Sequence, residues 1–248
     1  MQSKTAIFHS SQSPCEIVNV SIPPLKKGEI LVRNSFVTLC RSDLNTYSGK
    51  RKEKSPTILG HEVVGRITEF GPDAHYVDSR GEGLALGDRI TWAIFAGNPL
   101  DRLSQAGIPQ KAAGLFKYGH ELYSDDSTLH GGLSEYTVLR KHTPVVKLPE
   151  AIKDKTAAII NCAVATVAGA LRISGEVADK KILVSGAGML GLIACAMLKA
   201  NGAAMVFGLD RSVQRLNFAR NFGIDGLILM HANGDGNDWI PDPAIGFD

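Results

Sequence analysis

Lys181-Ile182-Leu183-Val184-Ser185-Gly186-Ala187-Gly188-Met189-Leu190-Gly191 decides how the second part of this chain folds. A short apolar run leads into three glycines spaced G-x-G-x-x-G, and a helix-forming run follows to Asn201. The pattern predicts a strand over 181–184, a tight turn, and a helix from Met189 to Asn201. Gly186 permits the turn, Gly188 lets the backbone approach a pyrophosphate, and Gly191 lets helix and strand pack closely. The backbone of Gly186, Gly188, Met189, Leu190 and Gly191 is therefore a candidate pyrophosphate cradle at a helix N-terminus.

Outward from the turn, the pattern alternates. Residues 204–209 predict a second strand, 212–222 a helix, and 227–229 a last strand. This β-α-β-α-β order forces a parallel sheet covered on both faces. Asp210 ends the second strand, nineteen positions beyond Gly191. A carboxylate there accepts both ribose hydroxyls and repels a 2′-phosphate, which favours NAD over NADP. The neighbouring Arg211 would tolerate that phosphate. Upstream, residues 154–174 have helical period and many small side chains. Before residue 150 the chain reads instead as short strands (5–8, 29–33, 63–67, 89–92) punctuated by Pro23-Pro24, Lys27-Gly28 and Gly87-Asp88. A polar, Gly-rich insertion with one or two short helices is expected over 95–132. The expected division is a β-rich domain over 1–150, suited to a distorted barrel, and an α/β dinucleotide-type domain over 151–248.

The overall balance excludes several classes of function. The chain has 248 residues, 44% hydrophobic and 21% charged, with a formal net charge of +2. Nothing there calls for a nucleic-acid partner, and the basic run Lys50-Arg51-Lys52 is broken by Glu53 and lacks interleaved aromatics. No secretory leader and no apolar run of membrane-spanning length is evident. Cys15, Cys40, Cys162 and Cys195 are too dispersed for a disulfide scaffold, which fits a reducing, cytoplasmic compartment.

Cys40, His61 and Cys162 are zinc-type ligands from well-separated places. They lack the close C-x2-C pairs of structural zinc and suit a catalytic site with an open position. Two thiolates would cancel the charge of Zn²⁺, so that a bound neutral alcohol could lose its proton and hydride could leave carbon near neutral pH. Any one of these residues alone reads as an ordinary core residue, since free Cys behaves as a small hydrophobe. In front of a dinucleotide motif, together, they point to a metal and to hydride transfer between an alcohol or carbonyl and a nicotinamide. Cys15 and Cys195 read as a loop thiol and a helix-packing residue.

At these residues the chain resembles the zinc-type medium-chain dehydrogenase/reductases, the family of zinc-dependent alcohol, sorbitol and threonine dehydrogenases. Cys40-Arg41-Ser42-Asp43 resembles the family's first-ligand segment, and Gly60-His61-Glu62-x-x-Gly65 its second. Gly87-Asp88-Arg89-Ile90 and Gly131-Gly132-Leu133-Ser134-Glu135-Tyr136 resemble two further family segments. The resemblance implies a GroES-like catalytic domain before a Rossmann domain. It assigns the zinc to Cys40, His61 and Cys162, with Glu62 as alternate ligand and Asp43 orienting His61. Ser42 would start a proton relay. Arg41, Arg211 and Arg215 would approach the cofactor's phosphates or ribose, and Thr166 the nicotinamide.

Three features depart from the family. Asn45 stands where many relatives place the relay's outlet histidine, and residues 92–132 lack the cysteines of a structural zinc. The closing Ala244-Ile245-Gly246-Phe247-Asp248 resembles the segment leading into the fourth nucleotide-domain strand, implying half a doubly wound sheet here and a homo-oligomer in full-length form. Residues 107–121 resemble a subgroup associated with phosphonate catabolism, in which Lys117 and His120 could hold an anionic group; equally, the two residues read as decorating and packing a surface lobe. Two other readings stand beside the dehydrogenase: a zinc-free quinone or enoyl reductase, and a non-catalytic cofactor-binding remnant.

Overall fold

The computed structural model describes residues 1–73, 76–125, 127–232 and 239–241, so Ala244–Asp248 lies outside the described residues. The chain divides into two compact units, Met1–Cys162 and Ala163–Asp248. That division falls later than the composition change near residue 150, for a physical reason. The buried Arg89 guanidinium donates to the Pro149 and Ile152 carbonyls at 2.5 and 2.6 Å and pairs with Asp154 at 2.9 Å. It fastens the start of the apolar segment to the first unit, where Ala157 and Ala158 pack with Val64 and Leu148.

In chain order the first unit contains β1 (Gln2–Ile7), β2 (Glu16–Ser21), β3 (Ile30–Thr38), α1 (Arg41–Tyr47), β4 (Glu62–Phe70), β5 (Arg89–Trp92), β6 (Phe95–Ala96), α2 (Arg102–Gln105), β7 (Phe116–Lys117), β8 (Tyr136–Leu139), β9 (Val145–Lys147) and α3 (Asp154–Ala157). Five strands form one antiparallel sheet in the order β8-β3-β4-β5-β9. β1 pairs antiparallel with β2, and β6 with β7. Aliphatic residues on these strands, with Trp92 and Tyr118, make a core in which Val32, Ile90 and Leu139 expose no surface. Register shifts along the β3–β4 pair, at Leu31/Val32 and Asn34/Phe36, bend the pair as bulges do. The 95–132 insertion carries α2 and a 3-10 turn at Pro109–Lys111.

The second unit holds α4 (Ala165–Ser174), β10 (Lys181–Ser185), α5 (Met189–Ala200), β11 (Met205–Asp210), α6 (Val213–Ala219), β12 (Gly226–Ala232) and β13 (Trp239–Pro241). The first three strands are parallel in the order β10-β11-β12, the β-α-β-α-β arrangement expected. β13, not foreseen, pairs antiparallel with β12.

Two expectations need correction. The helix expected over 154–174 is broken: a π turn at Ile160–Val164 lies between α3 and α4. Such turns interrupt a helix at one position and re-aim its side chains; this one carries Cys162. Asp154–Ser174 also has the length and apolar composition of a membrane span, with mean hydropathy 1.6 over its most apolar window. Its first half instead serves the first unit's core. The helix α1 was not expected, since only strands and turns were read before residue 95. It starts at Arg41 because the Asp43 carboxylate accepts the Cys40 N–H at 2.9 Å, satisfying a donor at the helix end.

Candidate metal centre and nucleotide-binding turn

Within the first unit, four donors converge from three segments. Cys40 precedes α1, His61 precedes β4 and Glu62 opens it, and Cys162 sits in the π turn. One ligand atom from each lies within 4.8 Å of the others. The Cys40 and Cys162 sulfurs are 3.8 Å apart, and Cys162 Sγ is 3.6 Å from His61 Nε2. Tetrahedral bonds of about 2.3 Å to sulfur and about 2.05 Å to nitrogen put two sulfurs about 3.8 Å apart, and a sulfur and nitrogen about 3.5 Å apart. These two separations are those of a tetrahedral zinc site.

Charge in the cluster is strongly coupled. The bond with Cys162, then that with His61, pulls the Cys40 thiol down to about 2, against the opposing effect of burial. The Ser42 hydroxyl and N–H act in the same direction. Cys162 is pushed up, first by Cys40 and then by burial, so a single negative charge settles on Cys40. Burial would lower the His61 imidazole, but Asp43 and then Cys40 outweigh it and hold it at about 9. Burial raises Glu62, whose carboxylate accepts the Thr38 hydroxyl at 2.7 Å. A divalent ion displaces the shared protons, because only thiolate and neutral imidazole bind metal.

The surrounding residues hold these donors in place. Asp43, 2% exposed, lies 3.4 Å from His61 Nδ1, longer than a full hydrogen bond, and also receives the Gly60 N–H at 3.3 Å. Asn161, unnoticed in the sequence, donates to the His61 carbonyl at 2.7 Å and to the Trp92 carbonyl at 2.8 Å. It thereby pins the π turn beside the imidazole. An amide next to a cysteine in an otherwise apolar helix was the available signal. Arg89, read only as part of a turn motif, fixes the segment that delivers Cys162. Ser42 lies in the first turn of α1, and Arg41 is exposed at its start. His120 corrects an expectation. It is 8% exposed, stacks on His61 with ring centroids 5.0 Å apart, and bonds Glu53 at 2.9 Å, so it is not available to grip an anionic substrate group. Lys117 is exposed.

In the second unit the glycine turn has the predicted form. Gly186 adopts φ +97, and Gly188 is the N-cap of α5. A Cβ on Gly191 would lie 1.8 Å from the Gly186 carbonyl oxygen, so only glycine lets the helix close on the strand. Met189 and Leu190 expose about half their surface (57% and 49%) at the first turn of α5. Asp210 is buried, and its carboxylate accepts Ala187 N–H at 2.7 Å and Ser212 N–H at 2.9 Å. It braces the glycine turn itself. Arg215 Nη1 stands 4.0 Å from that carboxylate, and Arg211 is exposed beside it. Thr166 lines a cavity of about 380 Å³ with Val184, Ser185, Leu190 and Gly191. Cys195 is 1% exposed on α5, the packing role expected.

Known proteins match this arrangement. Residues 26–150 match the alcohol dehydrogenase GroES-like domain. The chain is 31% identical to an alcohol dehydrogenase of Geobacillus stearothermophilus, over 98% of this chain and 68% of the relative. It is 26% identical to an NAD-dependent alcohol dehydrogenase of Sulfolobus acidocaldarius, over 90% of this chain and 62% of that protein. The crystal structure of an alcohol dehydrogenase from Thermotoga maritima superposes with a TM-score of 0.85 at 27% identity, over 92% of this chain and 63% of that one. The chain thus spans about two thirds of the length of these relatives. With its β-rich GroES-like domain, its parallel sheet behind a G-x-G-x-x-G turn and these relatives, the chain belongs to the zinc-type medium-chain dehydrogenase/reductase family.

Proposed function

We propose that the protein transfers a hydride between a small alcohol, or the matching aldehyde or ketone, and NAD, using one zinc ion held by Cys40, His61 and Cys162. The donor spacing carries this reading: sulfur–sulfur and sulfur–nitrogen separations of 3.8 and 3.6 Å are those of a tetrahedral zinc site. Zinc held there supplies Lewis acidity to the substrate oxygen. Glu62 is the fourth donor in the cluster and an alternate ligand. Asp43 keeps the His61 ring turned with Nε2 toward the thiols. Ser42, two residues after Cys40, takes the alcohol proton at its hydroxyl. Asn45 cannot accept it near neutral pH, so the proton leaves through water or a ribose hydroxyl. The convergence of four donors disfavours the zinc-free reductase.

For the cofactor, the N–H groups of Gly188, Met189, Leu190 and Gly191 at the start of α5 receive the pyrophosphate. Asp210 retains a lone pair on each oxygen for ribose hydroxyls and so favours NAD. Arg211 and Arg215 lie on the same side and soften that preference toward NADP. Thr166 faces the nicotinamide end, and Arg41 is assigned a phosphate contact by the family resemblance. The domains are taken as 1–150 and 151–248, with the full-length form a homo-oligomer. All four thiols are free, which fits the cytoplasm.

The test is metal content and NAD binding of the purified chain beside Cys40→Ala. About one zinc per chain, lost in the variant, with saturable NAD binding and alcohol oxidation, is the expected result. NAD binding without zinc would return the zinc-free reductase. Zinc and NAD bound without turnover of any alcohol would return the non-catalytic remnant.

A further inference from the structure

His61 lacks a full hydrogen bond at Nδ1, because Asp43 is 3.4 Å away and the nitrogen is otherwise unpartnered. Asp43 therefore holds the ring only loosely, and packing completes the hold; the ring that lies against it is a second imidazole. His120 lies with its centroid 5.0 Å from that of His61, tilted 36°. The close approach is made by Gly119, at φ +77, whose Cβ, if present, would meet the Gly60 carbonyl oxygen at 2.8 Å and His61 Cβ at 3.3 Å. His120 is fixed in turn from behind. Its Nδ1 bonds Glu53 Oε2 at 2.9 Å, and Arg51 holds the same carboxylate oxygen at 3.0 Å. Glu121 ties the neighbouring backbone down, pairing with Lys54 at 2.6 Å and accepting the Lys117 N–H at 3.1 Å, while its carbonyl accepts the Thr57 hydroxyl at 2.6 Å.

We propose that His120, locked by Glu53, is a positioning residue that sets the plane of the His61 imidazole and thereby the stability and geometry of the metal centre. It touches neither metal nor substrate; it acts through the face of His61. The inference rests on the zinc reading above. Groups that orient a metal-binding imidazole typically change metal affinity about 10- to 100-fold when removed, and an imidazole free to rock about its Cα–Cβ bond spends less time aimed at the ion. Because the contact is ring against ring at a 36° tilt, a phenyl ring should replace much of it, whereas a methyl group should not.

The experiment uses the full chain as wild type, His120→Ala and His120→Phe, each loaded with zinc and, separately, with cobalt(II). Transfer of zinc to a chromogenic chelator and the visible spectrum of the cobalt form are read, with thermal melting as a control for folding. Expected is zinc loss about tenfold faster in His120→Ala, a displaced cobalt ligand-field band, and recovery of most of both in His120→Phe. Release rates and cobalt spectra equal to wild type in His120→Ala would overturn the proposal, as would equal defects in the two variants. Should His120→Ala fail to fold, His120→Phe beside Glu53→Ala carries the test. Glu53→Ala should then accelerate zinc loss, and an unchanged rate would overturn the locking role. Wild-type chain that takes up neither metal would overturn the zinc reading itself, a failure seen before any variant is compared.

Discussion

Gly131 in the first unit and Gly191 in the second face the same obstacle in different settings. A Cβ on Gly131 would lie 2.0 Å from the Ile58 carbonyl oxygen, and one on Gly191 1.8 Å from that of Gly186. Around Gly131 the packing is closed: Ile58 exposes nothing, and Gly132 fits between Val37 and Val63. Around Gly191 it is open. β10 is the outer strand of its sheet, no residue on it is fully buried, and Leu183 exposes 53% of its surface. A parallel strand is ordinarily covered on both faces. The closed packing of the first unit has a direct use. Donors drawn from residues 40, 61, 62 and 162 stay within 4.8 Å only if the intervening structure is rigid. A pyrophosphate cradle is made from six consecutive residues and needs only local geometry.

The largest effect should come from Gly131→Ala. Its Cβ has no room beside a rigid carbonyl, so the variant should lose about 3 kcal/mol in denaturant unfolding and lose zinc on dialysis. Retention of wild-type stability would break the claim that the first unit is closed. Gly191→Ala should cost about 2 kcal/mol, because the open side of β10 allows helix and strand to move apart. It should weaken NAD binding more than tenfold by calorimetry while zinc content stays unchanged; joint loss of both ligands would mean the units do not respond separately.

Acid should also separate the two. His130, next to Gly131, is 2% exposed with both ring nitrogens unpartnered, and burial holds it down to about 4 from 6.5. The unfolded chain therefore binds the proton first. The contribution of a neutral His130 is fully present above pH 6.5 and is lost as pH falls toward 4, on the order of 2 kcal/mol. The stability difference between wild type and His130→Phe should shrink or reverse along that path. A difference independent of pH would remove His130 as the cause. The second unit's one histidine, His231, is exposed. The smallest change is expected from Asp210→Asn. It weakens the brace on Ala187 N–H by about 1 kcal/mol and narrows the preference for NAD over NADP severalfold, read from the two dissociation constants.

Local rules made the second unit legible. Glycine spacing, apolar runs and the strand–helix alternation lie within stretches of about a dozen residues; β10, α5 and β11 appeared within one residue of their expected limits, and α6 ends three residues early, where a 3-10 turn at Arg220–Phe222 takes over. Four strands of the first unit, β1, β3, β4 and β5, were legible for the same reason, whereas β2 and β6 to β9 were not named. The candidate metal donors Cys40, His61 and Cys162 were named from residue type and spacing, and the family resemblance added Glu62.

What lay beyond the sequence depends on contacts between residues far apart along the chain. The π turn that aims Cys162 exists because Arg89 and Asn161 hold it against β5 and His61, 60 to 100 positions away. The helix α1 starts where one carboxylate finds one backbone N–H. Asp210, which propensity could only place at a strand end, turns its carboxylate back into the glycine turn. His120 looked like a surface residue of a polar insertion until Gly119 let it lie against His61. Residue type and spacing determined which donor side chains and which glycine turn this chain carries. Only tertiary packing decided which side chains face one another, because that choice follows from burial and hydrogen bonding across the fold, which no local pattern encodes.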